Sequence, residues 1–270
     1  MFLHIDMKEL ETFVASLGIG LSLGLIGAGG SILTIPVFVY ILKKDPLSSS
    51  VYSMFVVGVS SMAGSIQSIF NKLVDFKAVL TFGIPSVLGV FIARKTIFPI
   101  IPDELFSIGS FILSKSMLLM LSLSVLMFLA ARRMLRPAVK NDQEDQVDKQ
   151  VTISLFLRGL LVGMVTGLLG IGGGFLIVPA LYLLVNLPVK KAIGTALLII
   201  TINSLFSFLN SYSSMQIDWL LLIRFSLGAI LGIMIGTQLS RKIPGDYLKK
   251  TFGWVILGMS FYIVYKEFFF

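Results

Sequence analysis

Apolar residues run for helix-length stretches along this chain, with no period-two alternation and no sustained polar face to interrupt them. The stretches cover approximately residues 12–42, 51–70, 78–93, 110–131, 153–187, 192–210, 219–239 and 251–268. An α-helix needs about 20 such residues to cross the hydrocarbon core of a bilayer. The pattern predicts an all-α integral membrane protein, a polytopic helical bundle whose short loops carry most of the polar residues. One polar stretch is longer, from Arg132 to Gln150, where Arg132, Arg133, Arg136 and Pro137 precede Asp142, Glu144, Asp145 and Asp148. Mixed charge without apolar periodicity reads as a solvated linker. It divides the chain into a first transmembrane repeat, 1–131, the linker 132–150 and a second repeat, 151–270.

The word repeat rests on residues. GLIGAGGSILTIP at 24–36 aligns with GLLGIGGGFLIVP at 167–179, an offset of 143 with seven identities in thirteen positions. The same offset pairs Asp75-Phe76 with Asp218-Trp219, and Gly89 with Gly232. With one residue deleted, Pro46 pairs with Pro188 and Ser53 with Thr195. Two homologous halves are a habit of secondary transporters.

The glycines in these segments fall inside apolar runs. Each costs about 1 kcal/mol against alanine in a helix, so the clusters at 27–30 and 170–174 predict Gly-broken helices. A straight helix over 12–42 would measure about 46 Å, against a core of about 30 Å. Two half-helices, meeting at the glycines near the membrane midplane, fit the length better. Backbone N–H groups opened by such a break are a ready anion site. Gly27, Gly29, Gly30 and Ser31 are the candidates in the first half, and Gly170, Gly172, Gly173 and Gly174 in the second. The other reading is that these glycines only let helices pack closely. Pro36 and Pro179, each six residues beyond the shared Gly-Gly pair, shape the second half-helix or simply kink it.

Composition narrows the chemistry. Charged residues make up 13% of the chain and hydrophobic residues 56%. The net charge of +8 comes from Lys and Arg at the ends of apolar runs, which membrane topology explains without any nucleic-acid partner. With no cysteine and only His4, the chain holds no Cys-ligated cluster and no bis-histidine haem pair, and no cofactor is expected. Asp6, Lys8, Glu9 and Glu11 near the start argue against a cleaved signal peptide. No metal-ligand cluster or nucleophile–base pair supports an enzyme. No carboxylate sits in mid-span for a proton relay, and Asp75 and Asp218 stand where helix caps belong.

Embedded polar residues are few. Ser53, Ser60, Ser61 and Gln67 lie in one apolar segment, and Thr195, Thr201, Asn203, Ser204 and Asn210 in its counterpart. Ser53 matches Thr195 and Ser61 matches Asn203 between the halves, which makes these four candidates for substrate contact or for interhelical glue. Arg224, Arg158 and Lys115 lie near segment ends and suit snorkelling to the headgroups, unless Arg224 reaches inward to an anion.

The paired G-x-G-G-x-x-x-x-x-P segments, the Gly194-Thr195-Ala196 run and the Asp-aromatic pairs resemble the sulfite exporter TauE/SafE family of membrane permeases, over nearly the whole chain. The resemblance implies a multi-pass protein of the cytoplasmic membrane that moves small sulfur-containing anions such as sulfite or organosulfonates. Its partners would be a small anionic substrate and the lipid bilayer, with no oligomeric state implied. Ser31 stands where the second half has Gly174, and Tyr52-Ser53-Met54 replaces Gly194-Thr195-Ala196, so the halves would contribute unequally. A non-transporting subunit of a larger membrane complex is the competing class.

Charge counting bears on topology. If each glycine-rich segment crosses once, Lys and Arg divide 11 to 11; if each leaves from the side it entered, 14 of 22 fall on the side of the linker. Only the second satisfies positive-inside asymmetry, and it leaves the halves inverted.

Overall fold

The computed structural model describes residues 7–27, 29–102, 104–108, 111–135, 149–169, 174–185, 187–212, 215–240 and 242–269. In chain order, α1 (Met7–Ile26) is followed by the short α2 (Gly29–Pro36), which runs on through a π-helical turn, Val37–Ile41. Next come α3 (Pro46–Phe70) and α4 (Phe76–Ile100). A hairpin of β1 (Glu104–Ile108) and β2 (Phe111–Ser114) leads into α5 (Lys115–Leu135). After the linker, α6 (Lys149–Leu169), the shorter α7 (Gly174–Leu184), α8 (Val189–Leu209), α9 (Trp219–Ser240) and α10 (Gly245–Phe269) repeat the pattern of one long helix, one short and three long, without a hairpin among the described residues. Among the described residues, α1, α3, α4, α5, α8 and α9 are long and apolar enough to cross a membrane.

Sequence dictates where these helices begin. The Asp45 carboxylate accepts from the N–H groups of Leu47 and Ser48 at 3.0 and 3.1 Å, and Pro46 follows at the first helical position, where its missing N–H costs nothing. Asp75 accepts from Ala78 N–H at 2.9 Å and Asp218 from Leu221 N–H at 3.1 Å. Both are the caps that their positions suggested. The apolar run expected from 110 becomes helical only at Lys115. Residues 111–114 pair antiparallel with 104–108, which satisfies their backbone groups outside the spans.

The interior is built from helices of different halves. α1 lies parallel to α9, with Gly20 seated on Ala229, Gly24 on Ile233 and Thr237, and Gly232 on Leu17 and Leu21. α6 lies parallel to α4, with Gly159 on Phe82, Gly163 on Ser86, and Gly167 on Val90 and Ala93. Four-residue spacing of glycines lets two backbones touch, and in lipid that contact replaces the missing hydrophobic drive. Between these pairs α3 and α8 cross antiparallel, Gly58 meeting Leu205 and Ser61 meeting Thr201. α3 also runs parallel to α9, from Tyr52 at Asp218 to Gln67 at Thr237. α4 runs parallel to α8, from Asp75 at Thr195 to Phe91 at Phe206. Hence α1, α3 and α9 point one way, and α4, α6 and α8 the other. α5 and α10 close the bundle around Met120, Leu123, Met127, Ile256 and Ile263.

One expectation is corrected here. Residues 12–42 do not form two half-helices meeting at the midplane. α1 recruits Met7–Glu11 and reaches 20 residues, about 30 Å, which suffices for a full crossing. It ends at Gly27, whose φ of +72° is the left-handed conformation that glycine adopts freely. Gly27 packs against Ile193, one turn into α8, so this break lies near the membrane face where α8 begins. α2 then turns back. Gly30 fits against Ile19 and Leu23 of α1, and Phe38 joins Ile19, Tyr52 and Phe225 in one buried cluster. The chain therefore returns to the end at which α1 began.

Candidate functional site

The long antiparallel contact of α3 and α8 gathers the polar side chains. At its centre Thr201 donates to Ser61 Oγ at 3.1 Å, and Ser61 donates to Val57 O. Two residues along α8, Asn203 Nδ2 donates to Ser86 Oγ of α4 at 2.7 Å. Asn203 is fully buried, yet its Oδ1 has no partner, and the fully buried hydroxyls of Ser53 and Ser204 have none either. Buried polar groups are almost always satisfied, so three free ones in this region call for something to satisfy them.

The remaining candidates fall elsewhere. Thr195 Oγ1 accepts from Asp75 N–H at 2.9 Å, where it holds the start of α4. The same job is done at the opposite end by Tyr52, whose hydroxyl accepts from Asp218 N–H at 2.9 Å. This explains the unequal motifs: Gly194, beside Thr195, abuts the Leu73 backbone and has no room for a ring. Gly29 opens α2, and Gly30 is a packing contact. Ser31 lies within α2 and Gly174 opens α7, while Gly170, Gly172 and Gly173 lie outside the described residues. Pro36 ends the α-helical part of α2, and Pro179 is inside α7.

The residue that sequence reading missed is Arg94. The apolar run at 78–93 ends just before it, and Arg94-Lys95 reads as an ordinary charged terminus. α4 instead continues to Ile100 through a π-helical turn, Ala93–Ile97. π-turns inside α-helices often mark functional positions. Ala93 packs on Gly167 of α6, and the next residue round the helix, Arg94, is drawn into the protein at 7% exposure. It is the one charged side chain buried among the described residues. Its Nη2 donates to Ser50 Oγ of α3 at 2.8 Å, its Cζ lies 4.7 Å from the centre of the Phe98 ring, and its Nε has no partner. Neither ion pair among the described residues, Lys44–Asp218 or Arg224–Glu9, involves it.

Arg224 is thereby corrected as well. It is exposed and paired with Glu9, so it does not reach inward. Lys115 stays at its helix start, donating to Ile101 O at 3.0 Å with Nζ 4.2 Å from the Phe98 ring centre. A shallow cleft of about 600 Å³ opens at the other end of α3, between Gln67, Asn71 and Gln238, and has no charged lining.

Membrane-length helices paired across two halves, around a polar interior, define a multi-pass membrane transporter. The chain belongs to the sulfite exporter TauE/SafE family, whose model matches residues 12–263. A probable membrane transporter protein of Xylella fastidiosa is 27% identical over 96% of this chain and 97% of its own length. The probable membrane transporter protein YunE of Bacillus subtilis is 27% identical over 96% and 99%. A Methanocaldococcus jannaschii relative with the same description is 25% identical over 83% and 85%. No solved structure matches the chain.

Proposed function

We propose that this transporter carries a small anion, sulfite or an organosulfonate, between two halves that are inverted with respect to each other. The observation that carries the anion reading is Arg94: a guanidinium buried within a span, without a carboxylate among the described residues. A buried charge is costly unless something opposite pairs with it, and an anionic cargo supplies that charge. The exchanged pairing of α1 with α9 and α6 with α4, and the opposed directions of α3 and α8, support the inverted arrangement. Such transporters hold their substrate where the repeats meet and alternate access by rocking one against the other.

Counterflow with the purified protein in proteoliposomes tests the class. Vesicles preloaded with unlabelled sulfite should accumulate labelled sulfite transiently, without transforming it. Absence of flux would favour a subunit that needs partners, and a transformed product would indicate an enzyme.

Asn203 separates substrate contact from glue. Asn203→Ala removes both the bond to Ser86 and the free Oδ1. We expect its half-saturation concentration to rise about tenfold, equivalent to ~1.4 kcal/mol. The melting temperature should fall only slightly, because interhelical hydrogen bonds contribute ~0.6 kcal/mol on average. A large drop in stability with unchanged half-saturation would make Asn203 a strut.

A further inference from the structure

We propose that Arg94, Ser50 and Ser53 form a seat for one singly charged oxyanion, a sulfonate or hydrogen sulfite rather than a dianion. The proposal rests on the anion-permease reading and adds a location, a donor set and a charge to it.

The location follows from three elements. Arg94 comes from the second π-turn of α4, Ala93–Ile97, and Ser50 from the first turns of α3. Ser53 stands three residues further along α3, on the same face and about 4.5 Å along the axis. All three side chains are buried, Ser50 and Ser53 completely. α6 ends at Leu169, two residues past Gly167, which packs on Val90 and Ala93. α6 therefore ends at the level of Arg94.

The donor set is incomplete in a particular way. A guanidinium has five N–H donors in a planar fork. Ser50 takes one on Nη2, while Nε, on the same edge, has no acceptor. Ser53 Oγ also lacks a partner. A free Nε–H beside Nη2 is the edge that grips two oxygens of one oxyanion in parallel, and a nearby hydroxyl can meet a third. A structural arginine of this depth would use that edge on a backbone carbonyl or a carboxylate. Here Ser50 steadies one nitrogen and leaves the fork open.

The charge follows from counting. Arg94 is the one buried charge among the described residues, so a monoanion neutralises the seat. A dianion would leave one uncompensated charge in a dry interior, which is heavily disfavoured.

The test uses full-length protein in lipid nanodiscs, titrated by calorimetry at neutral pH with methanesulfonate and with sulfate. Both ions are tetrahedral at sulfur, and they differ in charge. Wild type should bind methanesulfonate at least about 30-fold more tightly than sulfate, ~2 kcal/mol. Arg94→Lys keeps the charge but loses the fork, and should weaken methanesulfonate at least about tenfold. Ser53→Ala removes one hydroxyl and almost no volume, and should weaken it about fivefold with an unchanged melting temperature. Wild-type affinity in a folded Arg94→Lys protein would overturn the seat, and so would equal affinity for sulfate. If Arg94→Lys does not fold, Ser53→Ala decides, and unaltered binding there overturns the proposal. Sulfite counterflow keeps the two readings apart. Flux in the wild type that persists in Arg94→Lys defeats the seat alone, and no oxyanion flux in the wild type defeats both.

Discussion

Gly163→Leu is expected to abolish transport and to leave little folded protein, whereas Gly18→Leu in the same chain is expected to behave as wild type. A Cβ at Gly163 would fall inside the backbone of Ser86 on α4, which cannot rotate away as a side-chain tip would. Overpacking a well-filled core costs ~1–3 kcal/mol, occasionally more, and a clash with backbone belongs at the upper end. The damage would also spread, because Ser86 Oγ is the partner of Asn203. At Gly18 nothing lies within 4 Å of the added carbon, and leucine is the better helix former by ~1 kcal/mol. Thermal unfolding of both variants in one detergent checks the contrast. A wild-type melting temperature for Gly163→Leu would refute the backbone contact between α4 and α6.

The second large effect is all-or-none. Lys43→Cys should be labelled by a membrane-impermeant maleimide in intact cells, and Lys190→Cys only after permeabilisation. The chain has no native cysteine, so each variant carries a single reactive thiol. Both positions are exposed loop or helix-start residues. The substitution at Lys43 leaves the Asp45 cap of α3 intact. Since α2 returns toward the start of α1, and α3 and α8 run antiparallel, the two lysines lie at opposite ends of the bundle. By positive-inside asymmetry, the excess of Lys and Arg on the side of the linker would put Lys190 in the cytoplasm. Equal labelling would refute the opposed arrangement, and reversed labelling would refute only its orientation.

Much of this arrangement could be read from residues alone. Long apolar runs gave the helices, Asp75 and Asp218 their starts, and the glycine cluster at 27–30 the end of α1. Charge asymmetry favoured a segment that returns to its own side, as α1 and α2 do. What escaped were effects that need a neighbour. Gly20 and Gly24, Gly159, Gly163 and Gly167, and Gly228, Gly232 and Gly236 have helix-packing spacing in the sequence, but their partners lie in the other half. In the clustered glycines a break is visible locally, whereas a long-range contact is not. Arg94 escaped for a related reason. Beside Lys95 it looks like a terminus, and only the π-turn at 93–97 and the serines of α3 turn it inward. Its one sequence signal was Ser48-Ser49-Ser50, a polar triplet opening an apolar helix.

Under the proposed seat, Arg94, the one buried charge among the described residues, would also make the transporter an electrical device. Empty, the proposed seat would carry one positive charge; loaded with a monoanion, it would be neutral. Membrane voltage then acts on the return of the vacant protein and barely on the laden crossing. Moving one charge through the full field costs or yields ~2.3 kcal/mol per 100 mV, and a partial traverse proportionally less. With the cell interior negative, the vacant seat would be drawn to face the cytoplasm, where it would fill, and the neutral complex would release its cargo outside. The resting potential would therefore bias travel toward efflux without a second ion.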